Sequence, residues 1–168
     1  LESTVVSRYS EDHSVELIPV DLPTPPSEFF RNDRELNRQI EVRSSDYCRI
    51  IDSHREHTFR HGFSYLNSEH CVALWNQLHE AMLDVLRKIR DPRLEEFFAT
   101  WRETNRLREA EMFSNIERHL QQSDKATGVL LVGAAHRAPL MRIAEERAAT
   151  GLSQIAWDFA ATFSVAQP

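Results

Sequence analysis

From Asp33 to Gln121 apolar side chains recur at helical spacing for about ninety residues, and that run limits the folds open to this chain more than any other feature. Leu36, Ile40, Tyr47, Ile50 and Ile51 make the first stripe, from an Asp33 cap through a weak patch at 43–45 to Gly62. A second begins behind Ser68 and carries Cys71, Leu74, Trp75, Leu78, Met82, Val85 and Ile89 on one face. A third opens with Asp91 as cap and Pro92 in its first turn, and Leu94, Phe97, Phe98 and Trp101 start its apolar side. The connections at 62–67 and 90–91 are short, so the spacing predicts three helices in antiparallel succession over 33–121.

The flanks read differently. Residues 1–13 are polar, the tail of a helix ending near Tyr9. Val15 to Val20 has strand composition, with Pro19 placing it at an edge, and the prolines of Leu22-Pro-Thr-Pro-Pro-Ser27 make a stiff extended connection. Val129 to Val132 is a short apolar run between Gly128 and Gly133, the pattern of a strand buried on both faces. Pro139 then opens a helix with Leu140, Met141, Ile143 and Ala144 on its apolar face and Gly151 as its stop after Thr150. The fold expected is therefore α/β: a small parallel sheet with a strand at 15–21, a long antiparallel helical insertion at 33–121, and a strand–turn–helix unit at 128–150, forming one domain over 1–168 or the C-terminal part of a larger α/β fold. His136 falls in the turn between strand and helix, where open α/β folds keep their sites. A neutral imidazole at a helix N-terminus can accept a proton or bind a metal.

Charge and cysteine usage narrow the classes. The net charge is −6, and although all but Lys88 and Lys125 of the 20 basic residues are arginine, they alternate with Asp and Glu. That is the pattern of solvated helix faces laced with ion pairs, not the concentrated positive surface that nucleic acid requires. Cys48 and Cys71 form no CxxC pair, no stretch approaches the roughly 20 apolar residues of a membrane span, and no secretory leader opens the sequence, so the expected location is cytoplasmic.

Two further patterns bear on chemistry. Continuing the third stripe from Trp101 at helical steps lands on Asn105, Arg108, Met112 and Asn115, which puts an arginine and two amides on the face that the aromatics bury. An arginine so placed meets a carboxylate, lines a wet cleft, or snorkels to solvent. His54, His57 and His61 lie at i, i+3 and i+7, and the His57/His61 pair has the i, i+4 spacing that can chelate zinc, although one helix does not easily offer three ligands to a tetrahedral ion. The bland reading of this patch is a polar helix end.

At Arg108-Glu-Ala-Glu-Met112-Phe-Ser-Asn115-Ile116 and Gly128-Val-Leu-Leu-Val-Gly-Ala-Ala-His136 the chain resembles the superfamily that joins erythromycin-esterase-like proteins, TraB/PrgY and Tiki proteins, and ChaN-like haem-binding lipoproteins. Arg108, Met112, Asn115 and His136 match the family's helix-then-strand pattern, and Asp21 looks like the acid that members carry at an earlier strand end. The likeness covers roughly 15–22 and 105–145. Members also carry a GxxH-type motif and a glutamate in their N-terminal half, and neither stands upstream of Asp21 here. The chain thus looks like the C-terminal half of such a fold, its first half coming from the same gene or another chain, or else a shortened relative.

The resemblance implies a hydrolase-like site that activates water on a small-molecule substrate, with His136 as general base or metal ligand, Arg108 binding substrate or a developing oxyanion, and Asp21 orienting or balancing one of them. A divalent metal, held by His136 or separately by His57 and His61, belongs to that expectation. Two other readings stay open: a non-catalytic module binding haem, metal or a small anion, and a helical interaction domain using Trp75, Phe98 and Trp101.

Overall fold

The structure is a computed structural model that describes residues 2–123, 127–151 and 155–159, with side chains from residue 6 onward. It is all-helical, and no strand occurs among the described residues. Among the described residues six α-helices follow in order, α1 (Glu2–His13), α2 (Ser27–Glu41), α3 (Ser45–Leu66), α4 (Glu69–Ile89), α5 (Pro92–Gln122) and α6 (Arg137–Ala149), with a 3-10 turn at Ala134–His136 before the last.

Local sequence explains the boundaries. Ser44 caps α3 by accepting from the Tyr47 N–H at 3.0 Å, so the weak patch at 43–45 divides the first expected helix in two, and α2 begins at Ser27 rather than at Asp33. Gly62 kinks α3 with φ 49°, a conformation that costs a side-chain-bearing residue far more. Ser68 caps α4 through the Cys71 N–H, Asp91 caps α5 through the Arg93 N–H with Pro92 behind it, and Gly151 (φ 68°) follows the end of α6. Four helices, not three, therefore fill 27–122.

Helices α2, α3, α4 and the first half of α5 bury one core, with Leu36 and Ile40, Tyr47 and Ile50, Leu74 and Leu78, and Phe98 as its members from each. A second, smaller core forms where Phe113 of α5 meets Leu140 and Ala144 of α6, joined by Leu130, Val132, Trp157 and Phe159. The 31 residues of α5, about 46 Å of helix, run through both.

The expected α/β architecture is overturned. Residues 15–20 and 128–132 lie outside any helix and form no strand ladder among the described residues. Along the second segment Leu130 and Val132 face the Phe113 core while Val129 and Leu131 are 70% and 65% exposed, so it is covered on one side only and is not a strand buried on both faces. Val15, Leu17 and Ile18 are likewise exposed. A short apolar run specifies extended backbone, but a sheet exists only where a second strand supplies the ladder partners. The stretch at 33–121 is accordingly the body of the fold and not an insertion into a sheet, and 128–150 is an extended segment, a 3-10 turn and a helix. The polar turn expected between Gln121 and Thr127 lies partly outside the described residues.

Phe113 is fully buried between α5, α6 and Trp157, whose ring centroid is 4.6 Å away. Phe113→Ala should cost about 3–5 kcal/mol, the usual cost of emptying a buried phenylalanine site. Chemical denaturation followed by far-UV circular dichroism, with a helical baseline throughout, measures it.

Candidate functional site

The face of α5 between the two cores carries the polar residues. Arg108 makes a bidentate pair with Asp21, Nε to Oδ1 at 3.1 Å and Nη2 to Oδ2 at 2.6 Å, and its Nη1 donates to Asn105 Oδ1 at 3.2 Å. Two turns further, Asn115 donates from Nδ2 to the Val20 carbonyl at 2.9 Å. Met112, between them, is buried. The extended segment that ends at Asp21 is thus fastened to α5 by side chains.

Adjacent to Arg108 but about 100° round the helix, Glu109 points inward and is only 7% exposed. Its Oε1 lies 2.8 Å from His136 Nδ1. A carboxylate can only accept, so Nδ1 carries the proton and donates, and in a neutral ring the acceptor is then the Nε2 lone pair. The 3-10 turn at Ala134–His136 packs on α4 and so presents the imidazole to α5. On the α4 side, His79 stands edge-on to Trp101, centroids 5.7 Å apart, with its Nε2 buried and without a protein hydrogen-bond partner.

The charges follow from this geometry. Hydrogen bonds from Arg108 hold the Asp21 carboxyl below its usual range against the opposing effect of partial burial, helped by the Leu22 N–H at 2.7 Å and by the charge of His136. Asp21 in turn raises Arg108. Burial pushes His79 down, with Arg102 adding to the effect and Glu80 and Glu109 opposing it.

The structure therefore brings Asp21, Arg108 and His136 into one region. It adds Glu109, which the sequence reading missed. The stripe had been followed from Asn105 to Arg108, yet Asn105, Glu109 and Phe113 are also four apart, and a face wide enough for both includes the glutamate.

The histidine patch lies elsewhere. His57 and His61 stack with centroids 5.9 Å apart, and His57 meets His70 of α4 at 4.5 Å. His54 Nδ1 contacts the Tyr65 hydroxyl at 2.8 Å, and burial pushes that hydroxyl up to about 12. Among the described residues no group of three or more His, Cys, Asp or Glu is arranged to hold a metal ion, either here or around His136. Among the described residues no helix is long and apolar enough to cross a membrane.

Comparison of the chain with protein-family models, with curated proteins and with solved structures found no match.

Two linkages should be measurable. Because the folded carboxyl of Asp21 titrates below its ordinary 3.8, the Arg108 pair contributes fully above that pH and is lost as pH falls through the lowered value. Because His79 titrates below 6.5 in the folded chain, the unfolded chain takes up the proton first and stability falls as pH drops below 6.5. Denaturation midpoints against pH should show Asp21→Asn flattening the first limb and His79→Phe the second.

Proposed function

We propose that this chain carries an acid–base site of hydrolase type. His136 Nε2 takes a proton from water or another hydroxyl nucleophile, Glu109 holds the ring in the tautomer that leaves Nε2 free and stabilises the imidazolium that forms, and Arg108 supplies the positive charge that binds substrate. The observation that carries this reading is the 2.8 Å contact of His136 Nδ1 with a carboxylate that is 7% exposed. A buried acid is costly unless it is paired, and a carboxylate behind an imidazole is the arrangement by which a histidine is oriented as a base. The likeness of Arg108, Met112, Asn115 and His136 to the pattern of the erythromycin-esterase-like, TraB and Tiki superfamily supports the same chemistry.

The assay is a panel of carboxylic esters, amides and phosphate esters. His136→Ala and Glu109→Gln should each lower kcat/KM by about 10²–10⁴ on any substrate found, the usual contribution of a positioned general base, while leaving the helical content unchanged. Without a substrate, long-range nitrogen–proton NMR of the histidine rings should find His136 protonated on Nδ1. A neutral ring protonated on Nε2 would remove the base and with it the reading.

A further inference from the structure

The pair that Arg108 makes with Asp21 has the form of a ligand contact. Resting on the reading of the site just given, we infer that Asp21 is an internal stand-in: the site takes a small molecule bearing a carboxylate or phosphate group, and that group replaces Asp21 on Arg108. The two contacts, 3.1 Å from Nε and 2.6 Å from Nη2, use the fork that any carboxylate or phosphate oxygen pair matches. The third nitrogen, Nη1, is bonded to Asn105 on the preceding turn, so the guanidinium keeps an anchor of its own when Asp21 leaves. Exchange is cheap because the pair is half in water, with side chains 28% and 38% exposed, and a pair in that setting holds weakly.

The element that carries Asp21 is suited to moving. Residues 16–25 make no backbone–backbone hydrogen bond to any described residue. Their described polar ties to the body are Asp21 on Arg108 and Asn115 on the Val20 carbonyl, both on α5. Release of Asp21 sends one exposed carboxylate to solvent and uncovers no buried charge. Position sets the consequence for chemistry: the residue after Arg108 is the glutamate bonded to His136 Nδ1, so an anionic group held on Arg108 sits one residue along α5 from the partner of that ring.

Thermal unfolding of the whole chain in inorganic phosphate, against chloride of matched ionic strength, tests this. Asp21→Ala leaves the fork open, and phosphate at about ten times its Kd should raise Tm by about 3 °C or more, whereas the wild type should need about tenfold more phosphate for the same rise and Arg108→Gln should show none. An equal response of wild type and Asp21→Ala, or a response that persists in Arg108→Gln, overturns the inference. Should Asp21→Ala fail to fold, the wild type decides by NMR: the Arg108 Nε–H and the Leu22 N–H, which loses its Asp21 acceptor, should move together and saturably with phosphate, and resonances that stay fixed overturn it. Acetate in place of phosphate tells a carboxylate site from a phosphoryl one. His136→Ala separates this inference from the general-base reading, because the phosphate response survives there even when hydrolysis does not.

Discussion

Glu109 is the constraint on which the rest of the arrangement depends. A carboxylate taken out of water must be answered by a hydrogen-bonding partner, and the partner here arrives from 27 residues further along the chain. Meeting it requires the 3-10 turn at Ala134–His136 to lie between α4 and α5. Once the turn is there, α6 starts at a fixed place, and Leu140 and Ala144 can close on Phe113. The buried acid, the orientation of the histidine and the second core are therefore one packing problem with one solution.

The ion pairs divide along the same line. Seven arginines pair with an acid three or four positions away on their own helix, as Arg31 does with Glu28 and Arg60 with Glu56, and both members stand in water. Such pairs keep the surface soluble and contribute little else. The pairs that bridge distant parts of the chain are different: Arg108 with Asp21, Arg147 of α6 with Glu117 of α5, and Arg137 with Glu69 of α4. Each ties a later element to an earlier one, and in each at least one side chain is mostly covered or nearly so.

Helix ends were legible because they are local. Ser68, Asp91 with Pro92, and Gly151 act through residues within one turn of themselves, so reading a few neighbours is enough to place them. The meeting of Asp21 with the face of Arg108 was also within reach, since a charge on an apolar stripe demands a partner. What failed was everything that needed a second segment. The apolar run 129–132 shows that its backbone extends and that one side is covered, but whether another strand lies beside it is not written in those four residues. The apolar stripe that continues across Ser44 hides its role as a cap, and the arginine beside Glu109 is the more conspicuous charge on that face.

The placement of Arg108 at the half-exposed rim and Glu109 in the interior follows from a single peptide step on α5, which turns the side-chain direction by about 100°. The site is therefore written in the phase of that helix. A residue deleted or inserted between Phe98 and Arg108 would leave the helix intact and still long enough, yet would swing the arginine off Asp21 and carry the glutamate off the imidazole at the same time. Within those nearly three turns of α5 a change of length is a change of chemistry.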